Sequence, residues 1–200
     1  MRSLATVLLL PFAAALVATA ADQTAPAPRP AYTLGTAPAA LQPPAQKAQK
    51  AFELFQARLI TRMNEELARG GPAAALSVYR DEAARLTADL GRDHAMRIGR
   101  TSHRLRNPHN APPQWARPYV TEANARDATT APTWVVDMGP MVGVIAPLET
   151  RDTCTLCHGP QEALPPAILN AIRANYPGDR ATGFTTGQVR GWIWAEVPRR

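Results

Sequence analysis

The longest regular pattern of apolar residues lies in the N-terminal third of the chain. From 45 to 69 apolar positions recur at steps of three and four with charged residues largely elsewhere, which predicts a long amphipathic helix. Gly70 and Gly71 end this helix, and Pro72 suits the first turn of a second helix that stops at Gly91. The pattern therefore predicts a helical hairpin. Its first helix has the apolar positions Ala48, Phe52, Phe55, Leu59, Met63 and Leu67.

Beyond residue 91 the pattern changes to segments rich in β-branched and aromatic residues. Two of them are separated by Gly139 and Pro140, which predicts a β-hairpin, and residues 165–172 predict one short helix. Helices first and antiparallel strands afterwards indicate an α+β domain. The predicted strands lie within 94–106, 133–138, 141–147 and 189–197.

The first twenty residues have the organisation of a secretory signal peptide. A basic start, an apolar run from Leu4 to Val17 and small residues at 18–20 follow one another. The run is shorter than the roughly 20 residues that span a membrane, and no later segment approaches that length. We expect cleavage near Ala20 and a periplasmic protein without a transmembrane segment.

Residues 21–44 differ in composition from the rest of the chain. Ala, Pro, Thr and Gln dominate, and few bulky apolar residues occur beyond Tyr32, Leu34 and Leu41. Such a segment buries too little surface to offset its ordering entropy, so we expect a semi-extended linker. The predicted folded domain then covers residues 45–200.

The chain has only two cysteines, Cys154 and Cys157, and His158 follows them directly. Two cysteines exclude a disulfide-framework protein and a site that needs four cysteines. The C-x-x-C-H spacing is typical of c-type haem attachment, because two thiols add across the two vinyl groups and the next residue places an imidazole against the iron. We therefore predict one covalent haem c, with Cys154 and Cys157 as attachment residues and His158 as proximal ligand.

Two other uses of the cysteines are open. One is a Cys154–Cys157 disulfide or thiol exchange, although the motif lies late in the chain and is followed by Gly159 and Pro160 rather than opening a long helix. The other is a zinc site, which needs further ligands from the histidines. Those histidines are His94, His103 and His109.

Four segments of the chain together resemble a known family. They are 97–112, 154–159, 176–183 and 187–191. On these residues the chain resembles a bacterial and cyanobacterial family of exported c-type haem domains of PAS-like fold. The domain occurs there alone or as the sensory part of membrane signalling proteins. The resemblance covers about residues 45 to 197 and implies haem binding, with redox or small-ligand sensing as the suggested role.

One position departs from that family. Its members use a cysteine in the second helix as sixth iron ligand, and Tyr79 stands at the matching position here. Three options follow: Tyr79 ligates the iron or packs on the distal haem face, another side chain ligates, or the position is open. The other candidates near the family's signature are Met96, His94, His103 and His109.

Positive charge is concentrated just after the predicted helical hairpin. The formal net charge is +6, and five arginines stand against one acid between residues 92 and 106. Arginine forks bind carboxylates in bidentate fashion, so Arg100 and Arg106 are candidate contacts of the haem propionates, the alternative being a solvated basic face. An exported protein without basic-aromatic interleaving is not expected to bind nucleic acid. An acidic redox or signalling partner suits the charge better.

The function predicted from the sequence is that of an exported haem-binding protein. Redox or gas sensing through the iron comes first, a periplasmic electron-transfer cytochrome is the alternative, and a non-haem C-x-x-C thiol-redox protein is a remote one. No Ser-His-Asp triad or carboxylate pair stands out, so hydrolytic chemistry is not predicted. A peroxidase-like enzyme is a third hypothesis; it would need an open iron with a distal acid-base pair, for which His94 or His103 could serve, and a non-enzymatic haem protein is favoured over it.

Overall fold

The computed structural model describes residues 29–199, apart from the side chains of Ser77 and Tyr79. The predicted signal peptide, residues 1–20, lies outside this range. The elements are β1 (Ala31–Thr33), α1 (Gln42–Asp93), β2 (Arg97–Thr101), β3 (Trp134–Asp137), β4 (Met141–Glu149), α2 (Asp152–His158), α3 (Pro166–Asn175) and β5 (Val189–Pro198). The α+β class is confirmed. Within residues 29–199, no helix has the length and apolar character needed to cross a membrane.

The long helix α1 folds back on itself at Gly71. Gly71 has a φ of 72° and a ψ of −171°, and this left-handed φ favours glycine. Across the break Arg62 donates from Nε and Nη2 to the carboxylate of Glu82, at 3.0 and 2.9 Å. In an unbroken helix these residues would lie about 30 Å apart. The predicted helical hairpin is therefore confirmed, with arms at 42–70 and 72–93.

The five strands form one antiparallel sheet in the order β1-β3-β4-β5-β2. The predicted hairpin around Gly139 and Pro140 is present, with Asp137 opposite Val142. One sheet face packs on the α1 hairpin, and the other carries the tryptophans. The core under α1 includes Phe52, Phe55, Leu59, Val144, Ile193, Ala195 and Val197, whereas Trp192 packs with Ile145 and Ala116 on the opposite face.

The predicted linker at 21–44 is wrong for the residues that the structure describes. Tyr32 lies in β1 and pairs with Val135 of β3, Leu41 is only 1% exposed, and α1 already begins at Gln42. The side chain of Gln42 donates to the carbonyls of Leu34 and Ala37 at 3.0 and 2.9 Å. The strand β3 and the core under α1 thus bury side chains of this segment that have few apolar neighbours within the segment itself. The folded domain therefore begins before residue 45.

Candidate cofactor site

The C-x-x-C-H motif forms the short helix α2. Cys154 and Cys157 lie three residues apart, which places both thiols on one side of the helix, and both are free. The helix ends where the backbone N–H of Gly159 donates to the carbonyl of Thr155 at 2.9 Å. Burial raises the pKa of the Cys157 thiol, so this group is protonated at neutral pH.

His158 is held in one tautomer by its neighbour in space. Its Nδ1–H donates to the backbone carbonyl of Ala181 at 2.7 Å, since a carbonyl can only accept. Within the described residues Nε2 makes no hydrogen bond, so its lone pair is available to a metal. Metal-binding histidines commonly have their second nitrogen held in this way. Burial, with the charges of Arg106 and Arg190, lowers the pKa of His158 well below its ordinary value of 6.5, so the imidazole stays neutral.

A loop from 179 to 184 pairs with the end of α2. The carbonyl of His158 accepts from Phe184 N at 2.9 Å, and that of Gly159 accepts from Gly183 N at 2.8 Å. The Phe184 ring, 1% exposed, lies 6.3 Å from the His158 ring at an interplanar angle of 75°. The imidazole is thus held by a backbone hydrogen bond and by an edge-to-face ring contact.

Arg106 ties the same loop to α2. Its Nε and Nη2 bind the carboxylate of Asp179 at 3.1 and 3.2 Å, and Nη2 also donates to the carbonyls of Cys157 at 2.6 Å and Ala181 at 3.3 Å. The side chains of Arg106 and Asp179 are only 11% and 9% exposed. The predicted contact of Arg106 with a propionate stays a prediction, and the structure gives its Nε and Nη2 partners within the protein.

Two cavities meet at the His158 side chain, with volumes of about 90 and 40 Å³. Both are bordered by His158, Arg106 and Arg190. The larger one lies towards β2 and the basic loop after it, and its wall includes Arg100, Arg104, Leu148 and Tyr176. The smaller one lies between α1 and α2, and its wall includes Met63, Leu67, Ala75, Leu76, Cys154 and Cys157.

Arg190 owes its position to a β-bulge. Leu148 pairs with Gly191 and Glu149 with Val189, so Arg190 is the extra residue on β5, and bulges commonly re-aim a side chain. Its Nε is buried without a hydrogen-bond partner. An unpaired buried cation donor is costly, so an anionic group at this point would be stabilised.

Two more arginines add positive charge to the larger cavity. The guanidinium carbon of Arg100 lies 5.4 Å from the centre of the Phe55 ring. That of Arg104 lies 4.2 Å from the Phe184 ring, and its Nη1 donates to the carbonyl of Thr182 at 3.0 Å. Arg100 borders the larger cavity, its predicted contact with a propionate stays a prediction, and the cationic wall favours a ligand with carboxylates.

The four sixth-ligand candidates near the sequence signature lie away from both cavity walls. His94 follows the last turn of α1, and Met96 is 7% exposed in the core under that helix. His103 packs edge-on against Phe184, on a ring that also contacts His158, and His109 is exposed on the turn after β2. Tyr79 lies on the second arm of α1, and its side chain is outside the described residues.

The match to a family model covers residues 22–198, which is nearly all of the chain beyond the predicted signal peptide; the family is named Tll0287-like. The chain belongs to the Tll0287-like family. This confirms the resemblance drawn from the sequence segments. No functionally curated protein has a significantly similar sequence.

A solved member of similar fold is the cyanobacterial haem protein Tll0287. The two structures align with a TM-score of 0.55 at 18% sequence identity, over 78% of this chain and 94% of that chain. At this identity the comparison supports the fold, and the five-stranded antiparallel sheet with its helices agrees with the PAS-like fold expected from the resemblance.

The side chains around α2 fit a haem better than a metal ion alone. Two thiols, a neutral imidazole with a free Nε2 and a cationic cavity match the vinyl groups, iron and propionates of that group. Within residues 29–199, no three His, Cys, Asp or Glu side chains cluster as a metal site, which leaves the zinc alternative without a ligand set.

Sequence reasoning missed two residues on these walls. Arg190 looked like one position of an alternating strand, and only the Gly187–Gly191 segment of the resemblance pointed to its neighbourhood. Met63 looked like one more apolar position of the first helix, and it lies instead beside Cys154 and Cys157. The four-residue steps from Leu59 to Met63 and from Met63 to Leu67 carry no signal that separates a core position from a cavity wall.

Proposed function

We propose that this protein is a monohaem c-type haem protein, with Cys154 and Cys157 as the attachment residues and His158 as the proximal iron ligand. The observation that carries the proposal is the hydrogen bond from His158 Nδ1 to the Ala181 carbonyl, 2.7 Å long, beside two free thiols on the same helix. It leaves Nε2 as a lone-pair donor at the junction of two cavities. The likeness to a cyanobacterial haem protein supports the same conclusion.

The bound haem would supply one-electron chemistry and a site for small ligands, and the chain's own residues set its surroundings. Arg106 and Asp179 hold the loop that orients His158. Arg190 and Arg100 line the larger cavity, where guanidinium groups stabilise propionate carboxylates. Positive charge near the iron favours the ferrous state over the ferric one.

For the physiological role we propose redox or small-ligand sensing at this iron, with export to the periplasm as the N-terminal pattern predicts. Electron transfer is the second candidate, and one surface feature favours it. Leu156, in α2 between the two cysteines, is 42% exposed, so the attachment edge of the haem would lie near the surface. Basic side chains nearby, such as Arg151 at 70% exposure, suit an acidic partner protein.

The thiol-redox alternative is less well supported by the site. Thioredoxin-type motifs open a long helix, whereas α2 is only seven residues long and is followed directly by Gly159 and Pro160. Cys157 also lies against the apolar cluster of Leu76, Leu164 and Ile168, so a partner protein has little access to this thiol.

The test is to express the full chain with haem-attachment machinery and measure the mass of the purified protein. We expect the mass of one haem, attached by two thioether bonds, and loss of one bond each in Cys154→Ser and Cys157→Ser. A mass without haem would overturn the proposal. Carbon monoxide and nitric oxide are then added to ferrous protein: a spectral shift supports small-ligand sensing, and an unchanged spectrum favours the redox roles.

A further inference from the structure

We propose that Met63 supplies the sixth ligand of the haem iron, a proposal that rests on the haem function above. The chain has two cysteines, and both are used for attachment, so a thiolate is not available. A protein donor for the sixth position would therefore have to be another side chain with a suitable atom, and the cavity walls are the place to search for it.

Few described side chains meet that condition. Apart from the three motif residues, the side chains on these walls with a strong iron-binding atom are those of Met63 and Tyr176. Tyr176 borders the larger cavity, next to the arginines, and not the one lined by the two thiols. Burial raises the pKa of its phenol, and a protonated phenol binds iron poorly.

Met63 lies on the wall that faces α2. The smaller cavity has Cys154, Cys157 and His158 on one side and both arms of α1 on the other. The thioether of Met63 and the imidazole of His158 come from different elements that border one cavity, so the two donors can approach an iron bound there from different sides. The other α1 residues on this wall, Leu67, Ala75 and Leu76, are apolar and offer no competing donor.

The arm that carries Met63 is linked to the second arm by the residue before it. Arg62 binds Glu82 on the second arm through two hydrogen bonds of 3.0 and 2.9 Å. Met63 and Leu67 are four residues apart and share one face of the helix, and both border the smaller cavity. Methionine has three rotatable side-chain bonds, which lets its sulfur adjust to the position of an iron.

A histidine–methionine pair has consequences for the iron. This ligand set raises the reduction potential relative to sets without methionine. It also fills the sixth position, so the iron is six-coordinate and low-spin, and an added gas must displace the thioether. In the sensing role, the thioether of Met63 would thus compete with an added gas for the iron. In the electron-transfer role, it would stay bound and raise the reduction potential.

The experiment uses the haem-loaded full chain, with Met63→Leu as test and Met141→Leu as matched control. Met141 is partly buried like Met63 but starts β4, about 23 Å along the strand from the cavity residue Leu148. Wild type and Met141→Leu should show the thioether-to-ferric-iron absorption band and a strongly upfield-shifted methionine methyl signal in the ferrous NMR spectrum. Met63→Leu should lose both and have a lower reduction potential.

A second variant, Met63→His, keeps the assignment testable in the event that Met63→Leu folds poorly. Met63→His should bring a second imidazole to the iron and give the paramagnetic resonance spectrum of bis-histidine ferric haem. Wild-type signals retained in Met63→Leu, or no bis-histidine spectrum in a haem-loaded Met63→His, would overturn the assignment of Met63 while leaving covalent haem in place. A Tyr79→Phe variant would then test the phenolate. Absence of haem by mass in the wild type would instead refute the proposed function itself.

Discussion

Replacement of Arg106 by methionine is the substitution that we expect to destabilise the site most. The Arg106–Asp179 pair is buried, with side-chain exposures of 11% and 9% and N–O distances of 3.1 and 3.2 Å. Arg106→Met leaves Asp179 with one backbone donor, Ala181 N at 2.9 Å, and removes the 2.6 Å hydrogen bond to the Cys157 carbonyl. Removing one partner of a buried pair costs about 3–5 kcal/mol. For a domain of this size that corresponds to a fall in Tm of roughly 6–20 °C.

The assay is urea unfolding of the haem-loaded protein, followed by far-ultraviolet circular dichroism. Arg92→Met is the control, because Arg92 pairs with Asp89 at an exposed site with exposures of 72% and 51%, where a loss of only about 0–1 kcal/mol is expected. Adding Asp179→Leu to Arg106→Met should recover part of the loss, since no unpaired charge remains. If Arg106→Met is as stable as Arg92→Met, the reasoning from a buried ion pair is refuted.

Three smaller perturbations test other parts of the structure. Gly159→Ala should lower the free energy of unfolding by about 1–3 kcal/mol, because a Cβ there would stand 2.6 Å from the carbonyl oxygen of Thr155. The hydrogen bond from Arg62 lowers the pKa of Glu82 below 4.5, so this pair stabilises the fold above that pH and the stabilisation is lost as pH falls through the folded-state pKa. Glu82→Gln should therefore lose less stability than wild type between pH 6 and pH 3 in urea titrations. Arg190→Met should lower the reduction potential in a potentiometric titration, because a cation is removed from the haem surroundings.

Each of these has a matched control. Gly35→Ala places a Cβ where nothing lies within 4 Å, and equal losses in Gly35→Ala and Gly159→Ala would contradict the steric argument. Glu53→Gln removes an exposed carboxylate on the same helix. If Glu53→Gln and Glu82→Gln lose equally little stability between pH 6 and pH 3, the effect comes from net charge and not from the Arg62–Glu82 pair. Arg151→Met removes a cation that is 70% exposed, and an equal shift of potential would show that burial of Arg190 is immaterial.

The fold was predictable from the sequence where the signal is local. The α1 arms follow from three- and four-residue apolar steps, and the turn between them follows from Gly71 and Pro72. The strand β1 was missed because its three residues are stabilised by pairing with β3, a partner far along the chain. A compositional argument about residues 21–44 sees few bulky side chains and cannot see that Leu41 is buried by residues of α1 and the sheet.

The same division holds for the site. The spacing of Cys154, Cys157 and His158 is a local pattern and was sufficient to single them out as one candidate site, whereas the short helix α2 that carries them was not predicted. The environment of Arg190 depends on a shift in register between β4 and β5, and no pattern within β5 encodes it. Arg106 was assigned from its position in a basic run, whereas its partner Asp179 lies on a distant loop. Residues whose role depends on a partner in another element are those that the sequence leaves undetermined.

The exposure of α2 bears on how the haem protein proposed above would mature. None of the residues of α2 is fully buried, so this helix can be presented to an attachment enzyme with little loss of core packing. Attachment would then not require the hydrophobic core to unfold, and a chain that has already folded would still be a substrate for it.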